Sequence, residues 1–362
     1  MSSVWGNNIK ISLFGESHGK GIGIIIDGLP AGFRLNLEEI AFEMQRRSPG
    51  KNNTSTPRKE KDSFEIISGF FEGKTTGTPL CCMILNHDTK SDDYEKTRYY
   101  MRPGHADYTG YMKYKGCNDF RGGGHFSGRL TAPIVFAGAI AKQFLKEKEI
   151  YIGSHVLDIF GIKDKAFDET TLSPDMFNAL AQKEYSVLDD ISSEMMKNAI
   201  LDAKKEADSV GGIIETAIIN VPAGIGSPFF DSVESRLAGM MFSIPAVKGL
   251  EFGTGFDMAH MKGSEANDQF TISGGKVQTK TNHNGGIQGG ITNGMPIIFK
   301  TAFKPTPSIG KKQQSFDIKD MKETELEIQG RHDPCIVFRA VPVTEAGAAL
   351  VILDILLEKD EL

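Results

Sequence analysis

Along the chain, short β-branched runs alternate with stretches of helical period, which predicts a mixed α and β fold rather than a helical bundle. Two runs echo each other. Gly21-Ile22-Gly23-Ile24-Ile25-Ile26-Asp27-Gly28-Leu29-Pro30-Ala31-Gly32 and Gly212-Ile213-Ile214-Glu215-Thr216-Ala217-Ile218-Ile219-Asn220-Val221-Pro222-Ala223-Gly224 are both apolar strands closed by a Pro-Ala-Gly turn. Each runs on into a helical pattern, Glu38 to Arg47 in the first and Ser232 to Met241 in the second, so two related strand-turn-helix halves are expected. Between them, Leu130 to Lys146 predicts a helix with Leu130, Ile134, Ile140, Ala141, Phe144 and Leu145 as its core stripe. Ser192 or Ser193 is placed to cap a helix through Glu206, and a packed final helix is expected from Thr344 to Glu358. Lys163 to Asp190 is polar and weakly periodic and reads as an excursion. No linker divides the chain, so a single domain over 1–362 is expected.

Composition changes the picture at glycine. Forty of 362 residues are Gly, about 11% against a usual value of about 7%, and they cluster, as backbone that approaches a ligand closely requires. Lys and Arg number 41 against 47 Asp and Glu, a net charge of −6. That opposes a nucleic-acid or anionic-membrane partner, which needs a basic excess, but leaves a local basic pocket open. Cys81, Cys82, Cys117 and Cys335 show no Cys-x-x-Cys spacing, so neither a disulfide framework nor a metal site is expected, and a cytoplasmic setting is the simplest. The first residues lack the pattern of a signal peptide, and no run approaches the roughly 18 apolar residues of a membrane helix. Lys359-Asp360-Glu361-Leu362 spells an endoplasmic-reticulum retention address, but without a signal peptide it reads as a charged helix end.

Candidate chemistry gathers in loops. Arg121-Gly122-Gly123-Gly124-His125-Phe126-Ser127-Gly128-Arg129 leads into the helix near Leu130, where unpaired N–H groups and missing side chains suit an anion better than a plain flexible entry. Gly73-Lys74-Thr75 looks like the end of a P-loop, but Ser68 stands where that motif needs Gly and Pro79 follows too soon. No Gly-x-Gly-x-x-Gly follows a strand, so neither nucleotide motif is expected. His18, His105 and His332 sit in turn-rich polar settings that suit proton transfer near neutral pH. Arg46 and Arg47 end a helix capped by Asn36, with Glu39 three residues on; they either complement the negative helix end or bind an anion. Asn282 to Gly290 and Lys304-Pro305-Thr306-Pro307-Ser308 add a second glycine-rich segment and a stiff cationic turn. Together these residues argue for a site that binds a polyanionic small molecule or phosphorylated cofactor. They do not identify the reaction.

Taken in order, Gly15-Glu16-Ser17-His18-Gly19 with Asp27-Gly28-Leu29-Pro30, Arg102-Pro103-Gly104-His105-Ala106-Asp107, Arg121-Gly122-Gly123-Gly124, Lys304-Pro305-Thr306 and Gly330-Arg331-His332-Asp333-Pro334-Cys335 resemble the chorismate synthases. The match runs from about Ile9 to the C-terminal helix. The resemblance implies a lyase of the shikimate pathway: 5-enolpyruvylshikimate 3-phosphate loses phosphate and a ring hydrogen in a 1,4-anti elimination, giving chorismate. It implies a requirement for reduced FMN without net redox change. It also implies an α+β fold, a single-domain β-α-β sandwich of two related halves, and a homotetramer. A flavin-dependent oxidoreductase acting on an anionic small molecule is the alternative reading.

Carried over by motif position, His18 and His105 resemble the proton donors, Asp333 the carboxylate that assists removal of the ring proton, and Ser17 and Ser127 their assistants. The resemblance places FMN against His125, Phe126 and Ser127, Pro245 and Ala246, Gly289, Lys304, Pro305, Thr306, Pro307 and Ser308, and Arg331. It places the substrate anions against Arg46, Arg47, Arg129 and Arg339. Departures exist. His125-Phe126-Ser127-Gly128-Arg129 stands where members often read Arg-Ser-Ser-Ala-Arg, trading a permanent charge for a titratable one. Ser48 and Asn53 stand where members often carry basic residues. NADPH is therefore expected only as an external or weak source of reductant, with Arg47 as its remaining contact.

Overall fold

The computed structural model describes residues 3–49, 54, 62–86, 97–169, 171–328 and 333–358. Asn53, Arg331, His332 and the tail 359–362 lie outside the described residues. The chain divides into two compact units: Met1–Ala137 with Lys197–Gly211 and Pro305–Arg339, and Gly138–Met196 with Gly212–Lys304 and Ala340–Leu362.

In chain order the elements are β1 (Val4–Trp5), β2 (Lys10–Gly15), β3 (Gly21–Asp27), α1 (Leu37–Arg47), β4 (Phe64–Ser68), β5 (Phe70–Phe71), β6 (Lys74–Thr75), β7 (Leu80–Leu85), α2 (Asp107–Tyr114) and α3 (Thr131–Glu147). There follow β8 (Tyr151–Ile159), β9 (Ile162–Lys163), α4 (Pro174–Gln182), α5 (Asp190–Lys205), β10 (Gly212–Ile219), α6 (Val233–Ser243), β11 (Val247–Phe252), α7 (Gly263–Ala266), β12 (Phe270–Ser273) and β13 (Lys276–Thr279). The last are β14 (Ile287–Gln288), β15 (Ile291–Thr292), β16 (Ile297–Phe303), β17 (Gln313–Asp317), β18 (Lys322–Leu326) and α8 (Val337–Glu358). The fold is mixed α+β.

Each unit holds a five-stranded sheet with its echo strand at the centre: β1-β2-β3-β7-β4 in the first and β11-β16-β10-β8-β9 in the second. The pairings of β3 with β2 and β7, and of β10 with β8 and β16, are antiparallel. The order of parts is the same. Two strands, a helix, a strand, a two-stranded hairpin and a last strand appear as β2, β3, α1, β4, β5–β6, β7 and again as β8, β10, α6, β11, β14–β15, β16.

The turn after the echo strand is also built twice, bond for bond. Thr75 donates its hydroxyl to the Pro30 carbonyl at 2.6 Å and accepts from Phe33 N–H at 3.0 Å. Thr292 donates to the Pro222 carbonyl at 2.6 Å and accepts from Ile225 N–H at 2.9 Å. Gly32 N–H bonds the Thr75 carbonyl and Gly224 N–H the Thr292 carbonyl, both at 2.8 Å. Gly32 and Gly224 have φ of 86° and 94°, which glycine adopts without strain. The threonines belong to a shared Gly-x-Thr-x-Gly-x-Pro pattern, Gly73 to Pro79 and Gly290 to Pro296, that leads into β7 and β16. Gly73-Lys74-Thr75 is thus hairpin and turn clamp, in line with the expectation that it is no phosphate loop.

Packing follows the apolar pattern. On β7, Leu80, Cys82 and Ile84 are buried while Cys81 and Met83 are half-buried, the period of two expected of a strand with one covered face. Strand β10 is buried continuously from Ile214 to Ile219. Helix α4 contributes Phe177 and Leu180 to a cluster with Phe167, Ala217, Ile219 and Ile298. It forms in the stretch read as an excursion because Ser173 accepts from Met176 N–H at 3.3 Å and Pro174 fits the first turn. Asp189, not Ser192 or Ser193, starts α5: its carboxylate accepts from Ser192 N–H at 3.0 Å. The final helix begins at Val337, seven residues before Thr344, and continues through Pro342. At 22 residues it has the length and apolarity to cross a bilayer by composition, which the shorter expected helix lacked; 94% of its apolar window is buried within the protein.

His155 on β8 is fully buried between Asp164 (3.0 Å) and Glu215 (2.9 Å). Burial alone would lower its pKa, but the bonds and charges of both carboxylates outweigh it and hold the pKa above the ordinary imidazole value.

If the two turns are equivalent, Thr75→Val and Thr292→Val each remove a hydroxyl from a buried turn. Each is expected to cost about 1–3 kcal/mol in urea unfolding; a loss at one site and none at the other contradicts the equivalence.

Candidate active site

The glycine loop is shaped by three successive residues in left-handed or mirror conformations: Gly122 (φ 58°, ψ 20°), Gly123 (φ 83°, ψ 2°) and Gly124 (φ 53°, ψ −126°). A Cβ on Gly122 would lie 2.3 Å from His18 Cδ2 and 3.2 Å from Ser17 Oγ, so the missing side chain lets the loop lie against the His18 turn. Ser17 N–H donates to the Gly124 carbonyl at 3.1 Å, which joins turn and loop directly. Ser17 and His18 are 5% and 6% exposed. Arg121, which flanks the loop in sequence, closes its fork on Asp119 at 2.9 and 2.7 Å. That bond, opposed by burial, holds the Asp119 carboxyl below its ordinary value, with nearby His18 adding to the shift.

Three of the four arginines read as substrate contacts converge. Asp62 bonds Arg47 through one carboxylate oxygen and Arg129 Nη1 through the other, the latter at 2.5 Å. Ser48 Oγ donates to the same carboxylate at 2.9 Å, and Arg47 Nε to Thr131 Oγ1 at 3.1 Å. Burial pushes the Asp62 carboxyl up, but the charges of Arg47 and Arg129 and the bonds from Arg129 and Ser48 outweigh it, and its pKa is lowered. Arg47, 6% exposed, is held below the usual guanidinium value by burial, against Asp62 and with the charges of Arg339 and Arg129. Arg339 therefore belongs to this field. It is ion-paired to Asp333, while its Nε is buried without a hydrogen-bond partner among the described residues. Arg46 bonds Glu43 at 2.8 Å on its own helix.

Asn86 ties the arginine cluster to the His18 turn. Its Nδ2 donates to the Glu16 and Gly19 carbonyls, both at 3.0 Å, and its Oδ1 accepts from Arg129 Nε at 2.9 Å. His105 is bonded through Nε2 to Ser308 Oγ at 2.8 Å, joining a histidine read as a proton donor to the Lys304–Ser308 segment. Within that segment Thr306 Oγ1 is buried with no hydrogen-bond partner among the described residues. Ser127 accepts from Arg129 N–H at 3.3 Å, and Phe126 is 38% exposed. His125 has both ring nitrogens engaged, Nδ1 with the Gly15 carbonyl at 2.8 Å and Nε2 with Ser3 Oγ at 3.0 Å. Pro245, Ala246, Gly289 and Lys304 lie in the second unit. Ala246, at φ 76°, accepts from Lys304 N–H at 2.9 Å and follows Pro245; Gly289, at φ 63°, faces open space.

Sequence reasoning missed Asp62, Asn86 and Asp119. Asp62 lies 15 residues from Arg47 and 67 from Arg129, and Asn86 lies 43 from Arg129, so no local spacing announces these two, whereas Asp119 stands two residues before Arg121, a local pairing that could have been found. Among the described residues no group of three or more His, Cys, Asp or Glu is arranged to hold a metal.

Buried guanidinium groups fixed by carboxylates, with a histidine on the adjoining turn, are an arrangement suited to an enzyme that binds a small polyanion and moves a proton. The sequence profile of the chorismate synthase family matches residues 9–357, and the chain belongs to that family. It is accordingly a carbon–oxygen lyase. It is 45% identical over 357 residues to the chorismate synthase of Dehalococcoides mccartyi, covering 99% of this chain and 97% of that one. It is 47% identical over 352 residues to that of Pyrococcus abyssi, covering 97% of each. A crystal structure of chorismate synthase is similar at a TM-score of 0.75 and 33% identity, covering 98% of this chain and 93% of its own.

Replacing Asp62 leaves two buried guanidinium groups uncompensated. Asp62→Asn is expected to destabilise the protein by about 3–5 kcal/mol at pH 7. Because the folded pKa lies below the ordinary 3.8, this stabilisation is present above that value and lost as pH falls through the folded one. Urea unfolding of both proteins at pH 7 and pH 3 checks this: the gap should narrow at pH 3, and an unchanged gap contradicts it.

Proposed function

We propose that the chain converts 5-enolpyruvylshikimate 3-phosphate to chorismate by 1,4-anti elimination of phosphate, with reduced FMN bound and no net redox change. The observation that carries this reading is the cluster of Arg47, Arg129 and Arg339 joined through Asn86 to the His18 turn. The substrate carries a phosphate and two carboxylates, and guanidinium forks suit both kinds of anion.

In this reading the arginines bind the substrate anions and stabilise charge that builds on the departing phosphate. His18 gives that phosphate a proton. His105, oriented by Ser308, is the second proton donor, and Asp333, set by Arg339, serves the side from which the ring hydrogen leaves. Ser17 assists from the His18 turn and Ser127 from the glycine loop. Arg46, bonded to Glu43, contributes to the field from the end of α1.

The first unit offers groups that suit FMN: the Thr306 hydroxyl, which has no hydrogen-bond partner among the described residues, Ser308 beside His105, the Ser127 hydroxyl, and the exposed ring of Phe126 as an apolar face, with Pro305 and Pro307 stiffening the segment. Reduced FMN, when bound, supplies the electron density that assists the elimination. NADPH is expected only as an external or weak source of reductant: Arg47, its remaining contact, is engaged by Asp62 and Thr131, and Ser48 by Asp62. A homotetramer in the cytoplasm is the expected state of the enzyme. In the second unit, Phe229, Phe230 and Phe256, at 83%, 93% and 80% exposed, supply apolar surface for such assembly.

Anaerobic phosphate release from 5-enolpyruvylshikimate 3-phosphate tests the reading with reduced FMN, oxidised FMN, and NADPH plus oxidised FMN. Turnover is expected with reduced FMN only, and His18→Ala should lower kcat by about 10²–10⁴-fold. Turnover with NADPH plus oxidised FMN would show an intrinsic flavin reductase, and no release in any arm would overturn the assignment.

A further inference from the structure

We propose that Asn86 is a positioning residue that holds the His18 turn and the Arg129 guanidinium in one register for the elimination. The inference rests on the reading above, that His18 and Arg129 act on the same substrate.

The chemistry of the side chain carries the argument. A primary amide has two N–H donors and a carbonyl acceptor on one planar group. At Asn86 both kinds of group are used: Nδ2 donates to the carbonyls of Glu16 and Gly19, which bracket Ser17 and His18, and Oδ1 accepts from Arg129 Nε. The partners fix the amide's orientation, since the flipped form would set its oxygen against two carbonyls and its NH₂ against Nε–H. Aspartate has no donors to offer the turn. Serine has one, on a shorter arm.

The amide also starts from a rigid place. Asn86 follows β7, whose last residue, Leu85, pairs with Gly21 at the start of β3, and Asn86 N–H donates to the Lys20 carbonyl at 3.2 Å. Strand and turn therefore share one frame. On the other side, Asp62 takes Arg129 Nη1 and Asn86 takes Nε, so two fixed acceptors set the rotation of the guanidinium plane. An anion bound by Arg129 then lies at a distance from His18 that one short side chain controls. A misplacement of about 1 Å between reacting groups costs about 10² in rate.

The test uses the full-length protein with reduced FMN under anaerobic conditions. Asn86→Ala is expected to lower kcat about 10²-fold and to raise KM about tenfold. In an Arg129→Lys background, which lacks Nε–H, the KM effect of Asn86→Ala should shrink to about twofold or less while the kcat loss persists. Asn86→Asp keeps the size of the side chain and an acceptor for Arg129 but loses both donors to the turn, and should show the kcat loss. A packing role alone predicts a lower melting temperature with kcat and KM of the folded protein within about twofold of the parent, and that result overturns the proposal. So does a KM effect of Asn86→Ala that is undiminished beside Arg129→Lys. Amide hydrogen exchange reads the same tie without catalysis: Asn86→Ala should speed exchange at Ser17 and Gly19, whose N–H groups bond the Gly124 and Glu16 carbonyls, and unchanged exchange overturns the proposal. A parent protein that releases no phosphate would defeat the functional reading, and the exchange result would still decide the role of Asn86.

Discussion

The site depends on one carboxylate. Asp62 lies two residues before β4 and bonds Arg47 at the end of α1 and Arg129 at the entry to α3. Two guanidinium groups in a buried position repel each other and lose their hydration, so neither would remain there without a shared counter-ion. With Asp62 in place their planes are fixed, and fixed donors stabilise developing charge without having to reorganise. Helix end, strand start and glycine loop are thereby held in a single arrangement within the first unit.

The duplicated turn shows how the same scaffold is put to different uses. After β3 the Pro-Ala-Gly turn leads to α1, which closes with Gln45-Arg46-Arg47. After β10 the equivalent turn leads to α6, which closes with Met241-Phe242-Ser243. The clamp threonines and glycines recur because the backbone needs them, whereas the arginines occur once in the pair of helix ends. Chemistry is grafted on the fold through side chains rather than through topology.

Much of this was legible in the sequence, for physical reasons. The echo between 21–32 and 212–224 identified the central strand of each sheet because an apolar run closed by Pro-Ala-Gly is a local signal. The second half of the duplication, Gly-x-Thr-x-Gly-x-Pro, was hidden by the likeness of Gly73-Lys74-Thr75 to a phosphate loop. The stripe of α3 predicts that helix to within one residue at each end, while the expected final helix starts only after Pro342, a residue type that disfavours a helix interior, and so falls short of the observed α8. At the site, the arginine and histidine types were visible in their loops. Their partners were not, since Asp62 and Asn86 are recruited across long stretches of chain that no local pattern encodes.

A crystal structure of the protein with 5-enolpyruvylshikimate 3-phosphate bound tests the central claim most directly. The account predicts substrate anions within hydrogen-bond distance of guanidinium groups among Arg47, Arg129 and Arg339, with Asp62 still bridging Arg47 and Arg129. Substrate anions held away from all three arginines, or a bridge broken by the substrate, would contradict it.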